Sequence, residues 1–289
     1  MSDGCLPAGG PPAGGAALAL RNQRVRRLRR LVRDPRARRA EQAFVLEGPN
    51  LVEAAVAAQV PLEAVYVAPG GDGAVVERAR AAGAPVRKLA PGVIERVADA
   101  VSPQPVLAVA PLPDTGLEEL RSATLVVVCV GLQDPGNLGS VVRGASAAGA
   151  AAVICCDGTV DPFGPKCVRG SAGALFHVRL VTGRPAVEVL DELGSWGVRR
   201  LGARPRGGVV HHRADLRGPT AFVLGNESHG LAPEVEALLD GLLTIPMVPG
   251  VESLNVAAAA SVLCFEAARQ RETVSPPGRP LPPGWPNAG

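Results

Sequence analysis

Three stretches in the C-terminal half place glycines and polar side chains where apolar strands end. The first, G-L-Q-D-P-G-N-L-G-S-V-V-R at residues 131–143, leads from an apolar run through a Gly-rich turn into a helix. Gly136 and Gly139 allow close backbone approach, and the helix N-terminus offers free N–H groups to a carboxylate or phosphate. Asn137 supplies both a donor and an acceptor, and Arg143 follows about one and a half turns later. The second stretch, F-V-L-G-N-E-S-H-G-L at 222–231, sets Asn226, Glu227 and His229 at a strand end, where the carboxyl edge of a parallel sheet opens to ligands. The third, I-P-M-V-P-G-V-E-S-L-N-V-A-A-A-A-S-V-L-C-F-E at 245–266, turns from a short strand at 242–245 through Pro246, Pro249 and Gly250. An Ala-rich helix then opens at Glu252, Ser253, Leu254 and Asn255, with Ser253 as its expected N-cap and its end near Glu266. Ala257, Ala258, Ala259 and Ala260 leave little bulk on any face, so another backbone can pass closely. Three polar turns at strand ends argue for one shared crevice.

A further segment, D-P-F-G-P-K-C-V-R-G at 161–170, puts Lys166 and Arg169 one helical turn apart, where they could hold phosphate. Other chemistries lack their spacing. His177, His211, His212 and His229 form neither HExxH nor a Cys/His ligand pattern, so no metal is expected. There is no G-x-S-x-G elbow and no Walker Gly-Lys-Ser/Thr. A dinucleotide fingerprint, with Asp157 as the ribose acid, fails because G-x-G-x-x-G is absent.

The elements that must position these residues alternate. Strands are expected at 43–46, 64–67, 86–88 and 106–109, with helices at 50–58, 74–82 and 92–98, which makes a small α/β unit. Pro111, Pro113, Asp114 and Gly116 mark a linker over 112–123. A second α/β unit, 124–272, has strands at 125–130, 152–155, 177–180, 200–203 and 221–224, and helices at 137–148, 166–175, 186–193 and 233–238. The unbroken apolar run 125–130 is what a parallel sheet covered on both faces requires. Residues 1–20 are Gly/Pro/Ala-rich and 273–289 Pro-rich, and both are expected to be disordered.

A net charge of +3 conceals strong segregation. Residues 21–39 hold ten arginines against the single acid Asp34, and without them the chain is acidic. So dense a block suits a phosphate backbone, with Arg24, Arg27 and Arg30 as contacts, in a basic arm and RNA-binding unit over 21–111. Val25, Leu28, Leu31 and Val32 recur at helical spacing, which predicts a helix docked on one side and basic on the other. Aromatics make up only 3% of the chain, so Ala, Val and Leu must build the core. No apolar run reaches the ~18–20 residues needed to cross a bilayer, and the N-terminus lacks signal-peptide order. A cytoplasmic protein without membrane partners is expected. Of the six cysteines none forms C-x-x-C; buried free thiols are expected, with Cys155 and Cys156 on opposite faces of a strand.

N-L-G-S-V-V-R (137–143), L-G-N-E-S-H-G-L (224–231) and I-P-M…E-S-L-N-V-A (245–257) resemble the three ordered motifs of the SpoU/TrmH methyltransferases of the SPOUT superfamily. F-V-L-E-G (44–48), after the basic arm, resembles the ribosomal-protein-like substrate-binding domain that often precedes them. The resemblance covers roughly residues 21–272. It implies an α/β fold whose parallel sheet is followed by a C-terminal chain threaded into a deep trefoil knot. It also implies S-adenosylmethionine as cofactor, bound around Leu224, Gly225, Asn226, Ile245, Met247, Ser253 and Leu254. Glu227 and Asn255 would shape the pocket and, with Asn137 and Arg143, form the catalytic set of a homodimer whose site is completed across the interface. The implied reaction methylates a ribose 2′-hydroxyl in RNA, ribosomal RNA first. Transfer RNA, or a non-catalytic role in RNA binding or ribosome assembly, are the alternatives. Arg143 would help to deprotonate the hydroxyl. A guanidinium of pKa above ~12 is a poor base, and bidentate binding of the adjacent phosphate is an equally physical role. Two positions depart from the family: Gly164 where Asn is usual, and Gly170 where Ala is common.

Overall fold

The computed structural model describes residues 16–271. In the N-terminal half the elements are α1 (Gln23–Arg33), α2 (Pro35–Glu41), β1 (Ala43–Glu47), α3 (Pro49–Ala57), β2 (Ala64–Val67), α4 (Ala74–Ala81), β3 (Val86–Lys88), α5 (Ile94–Val97) and β4 (Val106–Pro111). The strands form one mixed sheet ordered β1-β4-β2-β3. Side chains alternate across it. Val45 and Tyr66 join Val25, Leu28, Leu31 and Val32 of α1 in one buried layer. Phe44 and Leu46 face the other way, into a core continuous with the C-terminal half. The arginine-rich segment is thus structural on its apolar stripe. It is also two helices rather than one, because Pro35 starts a new helix and Asp34 caps it by accepting from the Arg36 N–H.

The C-terminal half runs β5 (Leu125–Cys129), α6 (Pro135–Ala147), β6 (Ala152–Cys155), α7 (Pro165–Ser171), β7 (Arg179–Thr182), α8 (Ala186–Ser195), β8 (Arg199–Ala203), β9 (Val209–Val210), β10 (Thr220–Leu224), α9 (Pro233–Glu236), β11 (Gly241–Thr244) and α10 (Val256–Gln270). Its seven strands, ordered β7-β6-β5-β10-β8-β11-β9, pair in parallel throughout. Helices α6, α7 and α10 cover one face and α8 and α9 the other. Helix α6 lies close on α7 because residue 139 is glycine: a Cβ there would stand 2.5 Å from the Cys167 carbonyl oxygen. At the second departure from the family, a Cβ on Gly170 would meet Gly139 Cα at 3.4 Å, an ordinary contact, so alanine is sterically permitted.

Several expectations are corrected. Asn255, not Ser253, caps α10: its side-chain oxygen accepts from the N–H groups of Ala257 and Ala258. That helix runs on to Gln270 rather than stopping near Glu266. The strand expected at 177–180 lies two residues later, since Ala174–Phe176 form a 3₁₀ turn. The short edge strand β9 was not anticipated. Within the expected linker, Leu117 and Leu120 are buried against the second core. The expected disordered ends lie, for 1–15 and 272–289, outside the described residues. Of the residues between, Leu18 pairs with Leu89 at the edge of the small sheet. No helix among the described residues is long and apolar enough to cross a membrane.

Candidate cofactor cleft and nucleic-acid interface

A cleft of about 660 Å³ opens at the carboxyl ends of β8, β10 and β11, beside the point where the order of this sheet reverses. Such switch points are where parallel sheets bind ligands. Leu224, Gly225, Asn226 and Glu227 line it from the turn after β10, and Ile245 and Met247 from the chain after β11. Ser253, Leu254 and Asn255 line it from the approach to α10, and Asn137 from the first turn of α6. The three motifs therefore converge on one cavity. Arg143 does not line it; it lies exposed on the outer ridge of α6 with Ser140 and Ala147. Sequence reasoning missed Ala203, Arg204 and Pro205, a fourth lip of the cleft. Their signal was available, since Arg-Pro-Arg-Gly-Gly also follows an apolar strand.

Gly225 sits where the chain is most crowded. A Cβ there would lie 2.4 Å from the Gly230 carbonyl carbon and 2.6 Å from the Leu231 nitrogen. The crowding arises because Asn226 and Gly230 exchange backbone hydrogen bonds of 3.0 and 2.9 Å and close the turn on itself. Asn226 then ties the turn to the neighbouring one, its Nδ2 donating to the Gly131 carbonyl at 2.8 Å.

One hydrogen-bond relay links the motifs. Asn255 Nδ2 donates to Asn137 Oδ1 at 2.9 Å, and Asn137 Nδ2 donates to Glu227 Oε1 at 3.1 Å. The Glu227 carboxylate also accepts from the N–H groups of Gln133 at 3.2 Å and Asp134 at 3.3 Å. Burial pushes Glu227 up, but the bonds from Asn137 and from these backbone N–H groups outweigh it and hold the carboxyl below its ordinary 4.5. Asn137 keeps its place because Asp134 caps α6, accepting from the Asn137 N–H at 2.8 Å. Lys166 braces that cap at 3.0 Å and is the main cause of a lowered Asp134.

Comparison with known proteins agrees with this geometry. The SpoU rRNA Methylase family matches residues 124–265, and the MRM3-like substrate binding domain matches residues 22–108. The 23S rRNA (guanosine(2553)-2'-O)-methyltransferase RlmP of Bacillus subtilis is 31% identical over 245 residues, which span 85% of this chain and 96% of that protein. The chain belongs to the SpoU rRNA methylase family. Among solved structures, the SpoU methyltransferase AviRb of Streptomyces viridochromogenes, in complex with the cofactor AdoMet, superposes with a TM-score of 0.78 at 27% identity, over 88% of this chain and 99% of that one. A putative RNA methyltransferase of the TrmH family from Porphyromonas gingivalis gives 0.71 at 32% identity, over 85% and 96%.

The five cations expected to touch RNA are scattered by the family fold. Arg24 is exposed, and its guanidinium makes no hydrogen bond or ion pair among the described residues. Arg27 pairs with Glu41 and Glu63, and Arg30 with Glu41. Burial lowers Arg27, but its bonds to Glu63 and Glu41 win and raise it. Lys166 is bound to Asp134, and Arg169 to Glu47 and Asp99. Arginines not singled out in advance, Arg26, Arg29, Arg36 and Arg39, are exposed and unpaired among the described residues. Gln23, Arg24, Arg26, Arg27 and Arg30 frame an open groove of about 300 Å³ along α1.

The thiols take no part in the cleft. Cys129, Cys155, Cys156, Cys167 and Cys264 are free and buried, and Cys5 lies outside the described residues. Cys155 and Cys156 face opposite cores. Burial pushes Cys156 and Cys264 up to about 12, so neither ionises at neutral pH. Among the described residues no group of His, Cys, Asp and Glu is placed to hold a metal ion.

Proposed function

We propose that this protein is an S-adenosylmethionine-dependent methyltransferase that acts on a ribose 2′-hydroxyl of ribosomal RNA. The observation that carries the reading is the cleft in which all three motif segments meet, joined through Asn255, Asn137 and Glu227. Its size suits a nucleoside-sized ligand. Leu224, Leu243, Ile245 and Leu263 give it apolar walls for a flat base. Gly225 forms a cradle in which even a methyl group would collide with backbone, so main chain rather than side chain faces the ligand there. Leu254, 40% exposed at the rim, is an apolar side chain left for a ligand to cover.

Bound there, S-adenosylmethionine would supply a methyl group activated by its sulfonium, with a neutral thioether as leaving group and the hydroxyl proton passing to solvent. The protein's own residues orient and hold. The relay fixes the approach to α10 against the first turn of α6, which sets the cleft's width. We read Arg143 as the planar fork that holds the phosphate beside the target ribose. Because it lies outside the cleft of its own chain, we read the active form as a homodimer with the site completed across the interface. Support comes from α10, which packs on α6 at Ser261 and Gly144 and whose outer ridge of Ala258, Val262 and Phe265 is exposed, the last at 47%. We also read the C-terminal chain as knotted, since α10 returns from the β11 side of the sheet to pack on α6 beneath β5. The unpaired arginines of α1 and α2 hold RNA backbone in the cytoplasm. Mass-spectrometric mapping of ribosomal RNA from cells with and without the protein tests the reading: one 2′-O-methyl mark is expected to disappear, and purified protein with cofactor to restore it. Unchanged marks together with no calorimetric binding of S-adenosylmethionine would reject it.

A further inference from the structure

We infer that Arg38 and Arg169 are positioning residues that clamp the small sheet onto the seven-stranded half, so that RNA carried on the first meets the cleft of the second in one fixed geometry. The inference rests on the methyltransferase reading for its kinetic consequence, and on the contacts between the halves alone for the clamp.

Arg38 is only 5% exposed. Its Nε and Nη2 donate to Asp161 Oδ2 at 2.9 and 2.7 Å, across the boundary between the halves. Its Nη1 donates to the carbonyls of Leu31 and Val32, at 2.6 and 3.1 Å, in the last turn of α1. Asp161 is equally committed, with Oδ1 accepting from the Phe163 N–H at 2.9 Å. A Cβ on Gly164 would come within 3.7 Å of Arg38 Nη2, so a long side chain there would crowd the pair. At the second point Arg169 of α7 donates to Glu47, the last residue of β1, and to Asp99 Oδ2 at 2.8 Å. The Glu47 side chain is only 5% exposed and also accepts from the Asp99 N–H at 2.7 Å. Between the two points Phe44 lies against Phe163, centroids 5.2 Å apart.

Apolar burial is non-directional, so the shared core holds the halves together without choosing their angle. Planar guanidinium–carboxylate pairs are directional. Taking them out of water costs much of what they return, so their use is to select one arrangement. The loop that carries Asp161 also braces the catalytic turn. Thr159 Oγ1 accepts from the Gly131 N–H at 3.0 Å, Gln133 Nε2 donates to the Gly158 carbonyl at 2.7 Å, and the Val160 N–H donates to Leu132 at 2.8 Å. That turn bears the N–H groups that bind Glu227. A loosened clamp therefore misplaces RNA relative to the cleft, and a shift near 1 Å can cost ~10²-fold in rate.

The test uses Glu47→Gln, Arg169→Met, their double variant, and Arg38→Met, each checked by thermal unfolding. Glu47→Gln keeps an acceptor for the Asp99 N–H and nearly the same shape, so it reports even where an arginine variant fails to fold. Spin labels at Ala81→Cys on α4 and Asp191→Cys on α8, in a Cys5→Ser background diluted with unlabelled protein, read the distance between halves within one chain. A single narrow distance is expected for the parent and a broadened or shifted one for the double variant. Turnover at saturating ribosomal RNA should fall about tenfold or more, with RNA affinity, its salt slope and S-adenosylmethionine affinity unchanged. The double variant should be no slower than the worse single. An unaltered distance distribution overturns the clamp. So does a silent Glu47→Gln beside an Arg169→Met whose salt slope drops by about 0.7, the signature of a lost phosphate contact. If the parent methylates no RNA, the proposed function fails, while the distances still decide the clamp.

Discussion

At Gly225 even one methyl group meets backbone on the far side of its own turn, so Gly225→Val is expected to lose cofactor binding by more than tenfold, read by calorimetry on folded protein. Leu254→Arg, which puts a long cation over the rim of the cleft, should do the same, and unchanged affinity in either would contradict the placement. Glu227 gives a pH dependence with a definite sign. Its carboxyl is held below the ordinary 4.5, so the stability it contributes is present above that value and is lost as the pH falls through the lower folded one. The part of thermal stability that depends on Glu227 should therefore be flat from about pH 8 to about pH 5 and be lost only in more acid solution, and Glu227→Gln should lose less stability on acidification than the parent. Arg143→Ala should abolish methyl transfer yet leave cofactor affinity within a few-fold, because the side chain is outside the cleft; full activity would remove it from the reaction. Single residues were legible where a glycine or an amide follows an apolar strand. Charge partners were not. Arg27 meets Glu63, 36 positions away, and Arg169 meets Glu47 across the two halves; no spacing rule contains such pairs.

At the scale of elements, the start of α10 joins two jobs in one side chain. Ser253 and Asn255 are both good N-caps by type, and sequence alone had no ground for choosing the second. Asn255 combines the cap with a donor aimed at Asn137, a contact 118 positions away that only the assembled sheet creates. The two jobs separate by substitution. Asn255→Asp keeps an acceptor for the Ala257 N–H and loses the donor, so thermal stability should hold while cofactor affinity drops. Asn255→Ala loses both, and about 0.5–2 kcal/mol of stability with the cap. Equal unfolding temperatures for the two variants would refute the division. Strand and helix positions were largely readable because parallel strands are unbroken apolar runs and helices repeat every 3.6 residues. Strand β9 was not, since two residues carry no period. The apolar stripe of the arginine segment was readable too, but not that it completes a core: Leu28 is 1% exposed beneath the small sheet. Removing residues 1–40 would open that core, and Leu28→Ala alone should cost about 2–5 kcal/mol in unfolding.

For the molecule as a whole, the question is which charges meet RNA once the fold has consumed its share. Ten arginines stand in residues 21–39, and from sequence all look alike. Folding sorts them. Arg27 and Arg30 lie beside Glu41 and Glu63, and Arg38 is buried on Asp161. Arg26 and Arg29 remain exposed and unpaired among the described residues. A cation already neutralised by a carboxylate releases no counterion when phosphate approaches, whereas an unpaired one does. For single-stranded RNA each contact contributes roughly 0.7 to the slope of log affinity against log salt. Arg26→Gln with Arg29→Gln should therefore flatten the slope by about 1.4, leave thermal stability near the parent's, and leave the methylated nucleotide unchanged, because backbone contacts position RNA without reading it. Arg27→Gln with Arg30→Gln should do the reverse, lowering stability by unpairing Glu41 and barely moving the slope. A salt titration of both variants on one ribosomal RNA fragment decides between them. If the second pair flattens the slope and the first does not, RNA displaces the acids on binding, and Arg27 and Arg30 rather than Arg26 and Arg29 are the phosphate contacts of α1.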